Sequence, residues 1–168
     1  MLPVNQQELD TVRQECRKLV RNRALLSAAA AVVPIPGVDI GADVAILLKI
    51  LPQINEKFGM SPTQIDKLSP DLQKIILVGG VSAGTGLIGK TLTTQRIISV
   101  LQHAGLTRLA GKSASKYIPL AGSVIAAGIS FAILRKVCNQ HIDECYAAAG
   151  KVLLAHTPAS PAPAPPAD

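Results

Sequence analysis

Aromatic side chains are almost missing from this chain: it has no tryptophan, two tyrosines and two phenylalanines in 168 residues. Proteins that hold single-stranded nucleic acid stack its bases on such rings, and the most basic part of the sequence offers only Tyr117 and Phe131 for that purpose. With no nucleic-acid-binding motif either, nucleic acid is excluded as the expected partner. Acidic residues have a gap of their own. None occurs between Asp71 and Asp143, whereas Lys74, Lys90, Arg96, Arg108, Lys112, Lys116, Arg135 and Lys136 all lie there. A zone like this suits anionic lipid or an acidic partner, unless its charges are only the solvated residues of apolar helices. Cysteine is sparse and odd in number, with Cys16, Cys138 and Cys145, which argues against a disulfide framework and for a reducing compartment. The first twenty residues read as a polar helix rather than a secretory leader. Long hydrophobic runs are short of a full span: residues 118–134 carry no charge, but a crossing helix needs about 20 apolar residues. That run is borderline; 75–89 is shorter, and 24–38 is broken by proline.

What is abundant is small aliphatic mass. Hydrophobic residues reach 48% while aromatics are 2%, and mean hydropathy is +0.33. Ala, Gly, Val, Ile and Leu supply that mass, which favours closely packed helices over a β-sandwich. The length implies one domain with a real core.

The chain is organised around Val32 to Leu51. Pro34, Pro36 and Gly37 break the apolar run, so a helix arriving through Ala24 should stop near Val33. A new helix then begins with Asp39 and Asp43 in its first two turns, where carboxylates favour the positive helix end. Asp43 has a second reading, as the partner of a base elsewhere that sets the register of the bundle. Ile40, Val44, Leu47, Leu51, Ile54 and Phe58 follow at spacings of four and three, a helical stripe, with Ile46 and Ile50 on other faces. Pro52 should kink or end the apolar portion, and Gly59 offers a stop. Further along, Ile118-Pro119 to Ala127 lines up with Val33-Pro34 to Ala42, matching Pro119 to Pro34 and Gly122 to Gly37, so two related helical hairpins are expected.

Local signals mark the other elements. Asn5 with Glu8 has the form of a capping box. The helix it opens repeats Leu9, Val12, Cys16, Leu19, Arg23 and Leu26, an amphipathic pattern that covers its own core or docks on a membrane or partner. Ser61-Pro62 with Gln64, and Ser69-Pro70-Asp71, each place an N-cap before a proline. Residues 90–104 read as a helix through Leu92, Ile97, Val100 and Leu101, ending at Gly105. Gly80 with Gly84, and Gly122 with Ala126 and Ser130, provide small faces for close helix approach. The expected fold is therefore an all-α bundle of about six helices with two pseudo-repeated apolar hairpins. An amphipathic segment spans 1–23, the hairpin domain 24–154, and a disordered Pro/Ala tail 155–168.

The quoted motifs VPIPGVDIGADVAILLKI, INEKFGM and YIPLAGSVIAAGISFAILRKV resemble the bacterial "domain of unknown function" family that includes the YcjF-type membrane proteins, whose members are often linked to GTPases. They are also similar to the C-terminal helical region of the immunity-related GTPases. The likeness covers roughly residues 24 to 154. It implies a membrane-associated, non-enzymatic module facing the cytoplasm and docking a protein partner, with a GTPase in trans as the candidate. Nothing before residue 24 is a G domain, so the relatives' nucleotide chemistry is not implied here.

Two alternatives remain. One is a soluble cytoplasmic interaction domain that forms homo-oligomers through its small-residue faces. The other is a nucleotide-binding protein, because residues 84–91 fit GxxxxGK[ST]; Gly84 and Gly89 would shape the loop, Lys90 would meet the terminal phosphates and Thr91 the magnesium. A phosphate-cradling loop follows a buried strand, for which only 75–78 is available. No cofactor is expected. Cys138, His141 and Cys145 share one helical face but lack a fourth ligand and zinc spacing, so they are assigned to packing. His103 and His156 have no partner that the sequence names, and no catalytic triad or acid pair is legible.

Overall fold

A computed structural model of the chain describes residues 1–30, 39–81, 86–103 and 119–156, with side chains over 1–24, 44–79, 86–103 and 131–155. Six helices lie within them: α1 (Gln6–Ala30), α2 (Asp39–Lys57), α3 (Pro62–Ile65), α4 (Pro70–Val81), α5 (Thr94–His103) and α6 (Pro119–His156). No strand occurs among the described residues, and the fold is all-α.

The helix starts follow from local chemistry. At α1 the Asn5 side chain accepts the Glu8 N–H at 2.8 Å. The Glu8 carboxylate returns to the Val4 N–H at 2.9 Å, one residue before the position a capping box would use. At α3 the Gln64 side chain accepts the Ser61 N–H at 3.0 Å, and both α3 and α4 carry proline at their first position. The start of α5 differs from the expected Lys90. Thr93 caps it, its hydroxyl accepting the Arg96 N–H at 3.4 Å, and the helix begins at Thr94. Helix α2 runs through Pro52 to Lys57 and is stopped by Gly59, whose φ is +72°. There the Met60 N–H meets the Asn55 carbonyl at 2.7 Å and the Gly59 N–H meets that of Glu56 at 3.0 Å, the paired bonds of a Schellman stop. A Cβ on Gly59 would lie 2.5 Å from the Leu2 nitrogen, so this turn also seats the start of the chain.

Helix α6 is the spine. Its 38 residues span about 57 Å, and α1, α2, α4 and α5 all pack on it. Arg17 meets Asp143 and Asp10 meets Tyr146, so α1 and α6 are antiparallel. Lys57 reaches back to Glu15, making α1 and α2 an antiparallel hairpin and leaving α2 and α6 parallel. The Asn55–His141 hydrogen bond joins residues 86 apart, one more than the separation of Pro34 and Pro119. The internal similarity thus corresponds to two helices side by side in nearly matched register. The second expected hairpin, from α5 into α6, passes through residues that lie outside the described ones.

The core is aliphatic. Val44, Leu47, Leu51, Ile54 and Phe58 are buried along the expected stripe. Ile50 joins them at 1% exposure, because α2 is enclosed by α1, α5 and α6 rather than covered on one side. On α1 the buried line is Leu9, Cys16, Val20 and Ala24. The expected Leu19 is half-buried and Arg23 is exposed; spacings of four rotate the stripe by one position where α1 follows its neighbours. This helix therefore covers its own core, and it passes unbroken through the expected boundary at 23/24. The close approach of α4 to α6 uses Gly79, whose added Cβ would stand 3.7 Å from the Ala148 Cα. The surroundings of Gly80, the side chains of Ala126 and Ser130, and all of Gly84 lie outside the described residues, as do Gly105 and most of the expected Pro/Ala tail. Among the described residues no helix is long and apolar enough to cross a membrane.

Candidate functional site

The densest polar chemistry sits inside the bundle, where α2 and α6 meet. Asn55 is 1% exposed, His141 0%, Glu144 2% and Cys145 0%. Residues 141, 144 and 145 share a face of α6 by helical spacing, and Asn55 faces them from the last turns of α2. The His141 Nε2 lies 2.8 Å from the Asn55 Oδ1. The Asn55 amide donates to the Leu87 carbonyl at 3.4 Å, and the Cys145 thiol donates to Asn55 Oδ1 at 3.6 Å. On the other side of the ring, His141 Nδ1 faces Glu144 Oε2 at 3.7 Å, while the Gln140 amide donates to Glu144 Oε1 at 3.3 Å.

Cysteine, histidine and asparagine together are the components of a thiol protease set, but they are arranged differently here. Thiol and amide both approach Nε2, leaving no second nitrogen to relay a proton between them. Burial raises the Cys145 thiol well above the usual range, and the nearby Glu144 and Cys16 push it the same way. Burial also lifts Cys138 to about 12 and Cys16 to about 11, with Lys57 opposing and Glu15 adding to the latter. Thiols held protonated are poor nucleophiles. The hydrogen bonds of this cluster join α2 to α6.

A surface network runs beside it. Arg13 donates to Asp143 Oδ1 through Nη2 at 2.7 Å and Nε at 3.2 Å, and Arg17 adds a third bond at 3.1 Å. The Tyr146 hydroxyl donates to Asp10 at 2.7 Å and accepts from Gln6 at 2.6 Å. That bond to Asp10 raises the Tyr146 hydroxyl above its ordinary value, and the Arg13 guanidinium lies 4.4 Å over the ring. Between the two sets, Lys136, Asn139, Gln140, Asp143 and Glu144 line an open, shallow depression of about 490 Å³.

The residues singled out from sequence are dispersed. Pro34, Pro36 and Gly37 lie outside the described residues. Asp39 and Asp43 form the first turns of α2, and Pro119 and Gly122 the first turn of α6; the side chains of Asp39, Asp43 and Pro119, and with them the pairing of Asp43, lie outside the described part. The phosphate-loop alternative meets a different backbone. Residues 75–78 are helical, within α4, and 90–93 are not, so the flanking strand and helix such a loop needs do not frame it. Gly84 lies outside the described residues. Gly89 has φ +66°, and a Cβ there would come within 2.6 Å of Ile65 and 3.2 Å of Leu77; it serves packing. Lys90 and Thr91 are exposed in the following loop.

Cys138, His141 and Cys145 do share a buried face, and no group of metal-ligating side chains forms among the described residues. His103 bonds the Ser99 carbonyl at 2.7 Å. The sequence pattern missed Asn55 and Glu144. Each is a lone polar residue at an apolar position, and that is the signal that could have found them. No family model, no curated protein and no solved structure matches this chain.

Proposed function

We propose that this chain is a non-enzymatic helical module that docks peripherally on an anionic membrane surface. One observation carries the reading: the outer face of α4. Lys74, Leu77 and Val78 occupy one side of that helix by i, i+3, i+4 spacing. Leu77 is 38% and Val78 59% exposed, and Lys74 is exposed beside them. The turn at Gly89 packs against Leu77 and carries the exposed Lys90. Elsewhere on the chain Ile98, Arg96, Arg135 and Lys136 are exposed as well, and no carboxylate falls between Asp71 and Asp143 in the sequence. Apolar side chains at such a face enter the headgroup boundary, while lysine stems lie along it and bring their ammonium groups to lipid phosphates. Each lysine near an anionic surface contributes about 1 kcal/mol.

Burial holds the interior thiols protonated and so poorly nucleophilic, which supports a non-enzymatic role. The resemblance to GTPase-linked helical proteins makes a GTPase supplied in trans the candidate protein partner. Flotation of the purified chain with vesicles tests the membrane step. Binding is expected to vesicles containing phosphatidylglycerol and not to pure phosphatidylcholine, and to weaken as salt rises. Lys74→Glu with Val78→Asp should reduce it by about tenfold or more. A chain that stays with the unbound fraction at low salt on anionic vesicles ends this reading.

A further inference from the structure

We infer that the seam between α1 and α6, at Arg21, Arg135 and Lys136, binds a phosphate group. The inference starts from how these antiparallel helices are joined. Near the start of α1, Asp10 accepts from Tyr146. Further along, Arg13 and Arg17 both bond Asp143. Each turn forward on α1 is thus matched by a turn back on α6. Arg21 lies one turn past Arg17, so it comes opposite the stretch from Arg135 to Asn139. Residues 135, 136, 139 and 143 keep to one side of α6 by their spacing.

At Arg21 the pattern of signs breaks. Base meets acid lower on the seam, whereas here an arginine of α1 meets Arg135 and Lys136 of α6. All three are exposed, and none forms an ion pair with a described residue. Like charges gathered in this way repel one another, and an anion between them turns the repulsion into attraction. Asp143 shows what an anion does on this seam, since its Oδ1 alone gathers three bonds from two arginines. One turn back along α6 the sequence has Asn139 in the equivalent place.

The same surface is concave. Lys136, Asn139, Gln140, Asp143 and Glu144 line the open depression of about 490 Å³, and the two amides bring neutral donors to it. Its carboxylates do not cancel the cations. Asp143 is engaged by Arg13 and Arg17, while Glu144 is 2% exposed and receives the Gln140 amide. Arg13, Arg17, Arg21, Arg135 and Lys136 together outweigh both, so the depression is positive. Donors reach it from two helices. A tetrahedral phosphate accepts from several directions at once, whereas a carboxylate accepts within one plane. The seam is distinct from the outer face of α4. Gly79 of α4 packs at Ala148, about 18 Å along α6 from Lys136.

Free phosphate and a lipid headgroup share this chemistry, and two arms separate them. Calorimetric titration of the full chain with pyrophosphate reads the free ligand. Flotation with phosphatidylcholine vesicles containing phosphatidic acid reads the headgroup. Arg21→Gln with Lys136→Gln alters the seam, and Lys49→Gln with Lys67→Gln removes the same charge at exposed positions elsewhere. The seam variant is expected to bind about tenfold or more weakly than this control. A loss with pyrophosphate assigns a free phosphate, and a loss with vesicles alone assigns a headgroup. Urea unfolding without phosphate, at low salt, adds a readout that a merely structural role would move the other way. Relief of the facing charges should lower the unfolding constant of the seam variant by about twofold. Equal binding by the two variants in both arms overturns the inference. So does a seam variant whose unfolding constant rises, because its cations then serve the fold.

Discussion

Asp143 and Glu144 are adjacent carboxylates on one helix, and they live in opposite worlds. The Asp143 side chain is 48% exposed and takes three bonds from two arginines of α1. Glu144 is 2% exposed and faces an imidazole. Water decides what each is worth. A surface pair trades hydration for Coulomb energy almost evenly. Buried polar groups have no such refuge, so they cost dearly when one partner is removed. The sparser-looking set is thus the one on which the geometry of the bundle depends.

The comparison breaks most readily at Asn55. Asn55→Leu removes the hydrogen-bond partner of His141 Nε2 and of the Leu87 carbonyl and one of the two that the Cys145 thiol has, and should cost about 2–4 kcal/mol. Urea denaturation measures it; a loss under about 0.5 kcal/mol, the range of an ordinary surface substitution, means the buried set is dispensable. Asp143→Ala comes next, at about 0.5–1 kcal/mol, and the loss should shrink when unfolding is repeated at high salt. A salt-independent loss would place Asp143 with the buried groups instead.

The smallest effect belongs to Lys57 and Glu15, joined at 2.7 Å on the surface. The lysine holds the Glu15 carboxyl below its ordinary value, and Glu15 holds Lys57 above its own. The Glu15 contribution is present above the ordinary glutamate value and lost as pH falls through the lowered one. The Lys57 contribution is present below the ordinary lysine value and lost as pH rises through the raised one. Both groups are substantially exposed, so a few tenths of a kcal/mol is expected. Glu15→Gln should flatten the acid limb of a pH-stability curve by that amount.

Most of the architecture was legible because it is written in short-range chemistry. Ser-Pro starts at 61 and 69, the stop at Gly59 and the stripe from Val44 to Phe58 all act within a few residues. Where distant helices decide, the pattern drifted. Val20 and Ala24 replaced Leu19 and Arg23 because α1 follows the surfaces it packs on, and Ile50 was buried because α2 is enclosed. The interior polar set was half visible. His141 and Cys145 stood out by type and spacing, whereas Asn55 comes from a helix 86 positions away, and its meaning depends on tertiary pairing alone. The phosphate-loop pattern shows the converse, since Gly89 meets the regular expression while answering to Ile65 and Leu77.

The three cysteines carry a practical consequence. Cys16 rides on α1, and Cys138 and Cys145 on α6, all at 0% exposure. An alkylating reagent can reach each of them only when its surroundings open. The chain thus contains its own stopwatches, and the order in which they are stopped records which helix lets go first.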